Sequence, residues 1–153
     1  MFTRILVAVA NDGIVTQVVE TAQALAGVLG AQVVLVHVAD IGMAGLAAAT
    51  PMDVGSGMLA ATEIIEAEQQ TGQALLDRLA AQFPEGQVET LLYEGSPAAT
   101  IVDAAKEWHA DLIIAGTHGR SGIERFFLGS VAQDILRHAP CPVLALPHPE
   151  PAA

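Results

Sequence analysis

The chain has 153 residues, 52% of them hydrophobic and 15% charged, and carries 17 acidic against 6 basic side chains for a net charge of −11. A chain of this length is one domain that buries about 70% of its unfolded surface, and its apolar content excludes intrinsic disorder. The acidic balance excludes a nucleic-acid partner, because grip on a phosphate backbone rests on Lys and Arg.

From the start, residues 1–4 (Met-Phe-Thr-Arg) run straight into a strand-like segment with no small-residue cleavage site. No apolar stretch approaches the ~20 residues that span a bilayer. Neither a secretory signal nor a membrane anchor is expected. Residues 5–10 (Ile-Leu-Val-Ala-Val-Ala) form a continuous apolar run, the form of a strand buried on both faces of a parallel sheet. Asn11, Asp12 and Gly13 supply a turn. Val18, Val19, Ala22, Leu25, Ala26 and Leu29 then recur at helical spacing, and Gly30 closes that helix. Residues 32–38 (Gln-Val-Val-Leu-Val-His-Val) read as a second buried strand, with His37 facing the packed interior. Residues 40–58 hold four glycines and exceed the usual strand-to-helix connection by roughly threefold. Two readings stand for them: a cover over the ligand site, or a disordered insertion or dimer contact. A long helix over 59–82 follows, with Ile64, Ile65, Leu75, Leu76 and Leu79 as its stripe, and then a third strand over 87–93.

Ser96 and Pro97 open the next helix as N-cap and first helical residue, and Ile101, Val102, Ala105 and Trp108 form its apolar face. Residues 111–115 are the fourth strand. Ser130 and Gln133 read as a capping box for the fourth helix, which Pro140 ends. Residues 143–146, between Pro142 and Pro147, make a fifth strand, and those prolines assign it to the border of the sheet. Strands alternating with helices predict right-handed crossovers. The fold class is α/β, a five-stranded parallel sheet doubly wound with helices on both faces. Its ligand site belongs outside the carboxyl ends of the strands, near the reversal in strand order.

The segment between strand four and helix four, residues 116–130, reads Gly-Thr-His-Gly-Arg-Ser-Gly-Ile-Glu-Arg-Phe-Phe-Leu-Gly-Ser. Glycines admit a ligand close to the backbone, and the first turn of a helix offers unpaired N–H donors and a positive dipole end. A phosphate wants both. Three of the chain's few cations, Arg120, Arg125 and Arg137, lie in or just after this loop, joined by His118; Thr117 and His118 are expected to be exposed. Ser130 can cap its helix, donate to a phosphate oxygen, or do both. Asp12 is either a turn residue or a ligand for a ribose hydroxyl or a water-held Mg²⁺. The single Cys141 cannot form an internal disulfide, which fits a reducing cytoplasm, and it is expected to pack as a small apolar residue. No G-x-x-x-x-G-K-[ST] loop, G-x-G-x-x-G after strand one, G-x-S-x-G elbow or zinc-ligand spacing occurs. The sequence offers a place for phosphate and assigns no catalytic residue.

At these residues the chain resembles the universal stress protein family. Gly116-x2-Gly119-x9-Gly129-Ser130 matches the family's ATP-binding signature in spacing. The agreement extends to residues 5–9, to Gly95-Ser96-Pro97, to residues 110–119 and to residues 139–144. The resemblance implies one family domain over residues 1–153 with an adenine nucleotide alpha hydrolase-like fold. It implies ATP, ADP or AMP as ligand, with or without Mg²⁺, and slow ATP hydrolysis at most. Backbone at Ala8 and Val38 would then meet the adenosine, with Gly116 near the ribose. Gly119, Arg120, Gly129, Ser130 and Val131 would surround the phosphates, and Asp12 would reach the ribose or metal. The family also implies a cytoplasmic stress-response homodimer joined through residues 143–146. One position departs from the pattern: Ala10 stands where ATP-binding members usually carry Asp. The alternative is a protein of the same fold that binds a partner or a small ligand other than a nucleotide.

Overall fold

The computed structural model describes residues 1–39, 54–117 and 129–147. Its described elements are β1 (Arg4–Ala8), α1 (Val15–Leu29), β2 (Gln32–Ala39), α2 (Val54–Ala80), β3 (Val88–Glu94), α3 (Pro97–Trp108), β4 (Leu112–Gly116), α4 (Ser130–His138) and β5 (Val143–Leu146). All strand pairs are parallel and the order across the sheet is β3-β2-β1-β4-β5. The proline-flanked strand is at the border, as its sequence requires.

Side chains alternate across a strand, so each continuous apolar run feeds two separate layers. Ile5, Val7, Val33, Leu35 and Ile114 pack with Val15, Val18, Val19, Ala22 and Ala26 of α1 and with Leu75, Leu76 and Leu79 of α2. Leu6, Val34, Val36, Ile113 and Ala115 pack on the other face with Ile101, Ala104 and Ala105 of α3 and Ile135 of α4. Ile5, Leu6, Val7, Ile113 and Ile114 are wholly buried. Each contributes on the order of 2 kcal/mol through removal from water.

Local signals explain the helix ends. Gly30 ends α1 in the left-handed region at φ 65°, its N–H donating to the Ala26 carbonyl. Pro97 is the first residue of α3, and Ser96 takes the N-cap position in extended conformation. Two expectations are corrected. α2 begins at Val54, so residues 54–58 of the expected long connection are helical; Gly55 and Gly57, each costing about 1 kcal/mol in a helix interior, make that stretch look like loop. Residues 40–53, where the two readings of that connection fall, lie outside the described residues. At α4, Gly129 is the N-cap and Ser130 is the first helical residue, with no side-chain cap bond. The expected Ser130–Gln133 box is therefore out of register by one, because the Gly129 carbonyl accepts the first helical bond, from Gln133 N at 3.0 Å.

α2 outlasts the sheet. Gln69 donates to Glu94, the last residue of β3, so residues 54–68 rise beyond the carboxyl ends of the strands by about 22 Å at the helical rise. Met58 and Leu59 are exposed on that overhang, and Ile64 and Ile65 are only half-buried. Among the described residues no helix is long and apolar enough to cross a membrane.

Candidate functional site

The chain runs β1 to β2 to β3 in one direction, then returns to the far side of β1 for β4 and β5. The loops leaving β1 and β4 therefore diverge at their carboxyl ends, and a crevice opens between them. Pairing of β1 with β4 runs through Ile5, Leu6 and Val7 against Leu112, Ile113 and Ile114, which puts Ala8 and Gly116 at the mouth of that crevice. Val38 is near the end of the neighbouring strand. Ala8 and Val38 are half-buried, against the α3/α4 layer.

The β4 exit is tightly organised. Thr117 N donates to the Leu146 carbonyl at 2.9 Å, and the Thr117 carbonyl accepts from Gly129 N at 2.7 Å. Thr117 and Gly129 thus meet directly at the end of β4, and α4 starts there. Gln133 N makes the first helical bond, so the N–H groups of Ser130, Val131 and Ala132 have no intrahelical partner and point out of the helix start. Ser130 and Val131 are exposed there. Gly116 is a tight spot for a side chain: a Cβ would come within 3.1 Å of Ile14 Cγ2, and Ile14 is buried at the start of α1.

The β1 exit is a short hydrogen-bonded turn. Asp12 N donates to the Ala10 carbonyl at 2.9 Å, and the Asp12 carboxylate accepts from Ile14 N at 3.1 Å. Asp12 is therefore a turn residue at the rim of the crevice, with Ala10 just before it. Among the described residues no three His, Cys, Asp or Glu side chains converge on a metal position.

Seven expected site residues meet at this edge: Ala8, Asp12, Val38, Gly116, Gly129, Ser130 and Val131. Gly119 and Arg120, with His118 and Arg125, lie outside the described residues. Arg137, just after the loop in sequence, is in the last turn of α4, about 10 Å along the axis from Ser130. One expectation is corrected. Thr117 is buried at 6% exposure, because its backbone ties β4 to β5 and to the start of α4. Only its place directly after an apolar run could have signalled this. His37 is buried, as expected; its bond to the β1 exit had no signal in the sequence.

A doubly wound parallel sheet with a strand reversal between β1 and β4 defines an open α/β fold, a class in which ligands bind outside the carboxyl ends of the strands at that reversal. The family model described as "Universal stress protein family" matches residues 1–147, and the chain belongs to that family. It is 37% identical over 89 residues to universal stress protein MJ0531 of Methanocaldococcus jannaschii, a match covering 58% of this chain and 52% of that one. The matched region thus spans about half the length of that relative. Its fold matches the solved structure of MJ0577 with a TM-score of 0.83, covering 99% of each chain at 19% identity. It also matches a universal stress protein solved in complex with cAMP, with a TM-score of 0.62, 22% identity and coverage of 95% of this chain and 97% of that one.

Proposed function

We propose that this protein binds an adenine nucleotide, ATP, ADP or AMP, in the crevice between the β1 and β4 exits. The observation that supports this most is the closure of α4 onto β4 through Gly129 N and the Thr117 carbonyl. It gathers the free N–H donors of a helix start beside the strand reversal, and a phosphate is the ligand such donors suit. The backbone at Ala8 and Val38 flanks the base, and Gly116 admits the ribose. Gly119, Arg120, Gly129, Ser130 and Val131 hold the phosphates. A universal stress protein of this fold was solved with cAMP, itself an adenine nucleotide. The same reading makes residues 1–153 one domain of a cytoplasmic stress-response protein. It forms a homodimer through residues 143–146, whose strand borders the sheet and has ladder groups to offer. Slow hydrolysis of ATP is compatible with the site, in which no side chain is assigned a catalytic role.

A second reading is favoured by the β1 exit. Ala10 provides no carboxylate, and that of Asp12 accepts from Ile14 N within its own turn. A protein that recognises a partner or another small ligand needs neither.

Calorimetric titration with ATP, ADP and AMP, with and without Mg²⁺, separates the two. Gly129 has φ −61° and ψ 157°, an extended backbone that Val adopts without strain, so Gly129→Val puts a side chain at the helix start; its circular dichroism and melting curve are taken beside wild type as the check on folding. Micromolar binding that Gly129→Val weakens by roughly tenfold or more, about 1.4 kcal/mol, is expected. No heat from any nucleotide at millimolar concentration refutes the nucleotide reading, and ligand binding that survives Gly129→Val supports the second.

A further inference from the structure

Behind the crevice, one buried polar contact links its floor to helix α2. His37 is 6% exposed. By strand alternation it faces the same side as Val33 and Leu35, toward α1 and α2. Its Nδ1 lies 2.9 Å from the Val9 carbonyl oxygen. A carbonyl only accepts, so Nδ1 carries the proton and donates.

Val9 is the residue at which the β1 exit begins. The paired register of β1 with β2 ends at Ala8 and Val36, and Val9 N donates to the Val36 carbonyl at 2.9 Å. Both polar groups of Val9 are thus held by β2, one through backbone and one through the His37 ring. The next residues are the hydrogen-bonded turn of Ala10, Asp12 and Ile14.

The other side of the ring is held by an absence. Gly72, buried in α2, leaves the room the imidazole occupies: a Cβ there would lie 2.7 Å from His37 Cδ2 and 2.9 Å from Leu92 Cδ1. A glycine inside a long helix is unfavourable by about 1 kcal/mol, and close packing of this ring supplies a reason for it. Near Gly72 along the same helix, Thr71, Ala74, Leu75 and Arg78 of α2 line an open depression of about 200 Å³ together with Asn11. The β1 exit and α2 therefore meet again at the surface.

We propose that His37 is a positioning residue: seated against Gly72, it holds the Val9 carbonyl and so sets the β1–α1 loop at the rim of the nucleotide crevice. The link to ligand affinity rests on the nucleotide reading above; the link to loop order does not. α2, which packs on β2 and β3, is thereby coupled to the loop through the buried imidazole.

The test uses His37→Leu, His37→Asn and Gly72→Ala in the full chain. Asn places an amide donor close to the Nδ1 position, Leu places none, and the Ala methyl displaces the ring without touching its chemistry. Amide hydrogen exchange by NMR is read at Asp12 and Ile14, relative to β3 and α3, without ligand, and nucleotide Kd is read alongside. His37→Leu is expected to speed exchange at these two amides by about tenfold and to raise Kd about fivefold, the factors that loss of one hydrogen bond gives. His37→Asn should keep both near wild type, and Gly72→Ala should shift them in the direction of His37→Leu. A melting temperature lowered with loop amides unchanged relative to β3 and α3 overturns the proposal, as does equal behaviour of His37→Leu and His37→Asn. If His37→Leu does not fold, the same criterion is applied to Gly72→Ala. If the loop amides respond while wild-type protein binds no nucleotide, the positioning role stands and the nucleotide reading fails.

Discussion

Replacing Asp111 by Ala removes a clasp at the end of the sheet opposite the crevice. The Asp111 carboxylate accepts from Thr3 N at 2.8 Å, from the Thr3 hydroxyl at 3.0 Å and from Arg4 N at 3.0 Å, while Asp111 N donates to the Arg4 carbonyl at 2.9 Å. These bonds join residues more than 100 positions apart and align the starts of the two central strands. Arg4 extends the clasp, with Nε donating to the Trp108 carbonyl at 2.8 Å and its guanidinium 4.0 Å from the centre of the Trp108 ring. Hydrogen bonds to a charged acceptor contribute about 1.5–3 kcal/mol each when buried. Thr3 is exposed and Asp111 half-exposed, so water takes over part of each bond, and Asp111→Ala is expected to lose about 2 kcal/mol in all. For a chain of this size that is a fall in melting temperature of about 4–8 °C.

The pH dependence has a definite sign. Partial burial raises the Asp111 pKa, but the bonds from Thr3 N, Arg4 N, the Thr3 hydroxyl and Asp111's own N–H outweigh it and hold the pKa below its ordinary 3.8. A carboxylate with a lowered folded pKa stabilises the fold above the unfolded value and loses that contribution as pH falls through the folded one. The stability gap between wild type and Asp111→Ala is therefore full at pH 7, begins to close near the ordinary value, and narrows below it. Urea unfolding of both proteins across that range measures it. A gap absent at pH 7, or one that widens on acidification, refutes the reasoning. On the proposed nucleotide reading, affinity should be the same in both, since the clasp and the crevice lie at opposite ends of β1.

Two further outcomes follow from local geometry. Gly30→Ala meets nothing within 4 Å but must keep φ 65°, so it should lose about 1 kcal/mol through backbone strain alone; chemical denaturation with an unchanged structure checks it, and a neutral result would mean that the end of α1 shifts freely. The Cys141 thiol is pushed above its ordinary pKa by partial burial and then by the negative charge of Asp111, so alkylation at pH 8 should be slower than for a free cysteine. Asp111→Asn should speed it modestly; faster alkylation in the wild type than in a free thiol would contradict this.

The crevice was legible because its carriers are local. Gly116 ends a strand, Gly129 and Ser130 begin a helix, and a run such as residues 5–9 has few alternatives to a strand covered on both faces. Signals that depend on a partner were misread. Thr117 looks exposed beside two glycines until Leu146 and Gly129 claim its backbone. Arg137 is close to Ser130 in number, yet the helix sets it about 10 Å along the axis from that residue. Residues 54–58 look like loop because glycine is a poor helix former, and the helix that continues from them holds them regardless.

The alternation of apolar runs and amphipathic helices dictated a parallel sheet, two covered faces and a border position for the proline-flanked strand, since each follows from chain-local periodicity or from a missing donor. It left strand register open. Where both faces of a strand are apolar, a one-residue slip exchanges one buried layer for another and the pattern does not object. Register, the reversal between β1 and β4, the seat of His37 against Gly72 and its hold on Val9, and the Asp111 clasp were decided by tertiary structure. Each depends on atoms from segments far apart in the chain, and their meeting is a property of the packed whole.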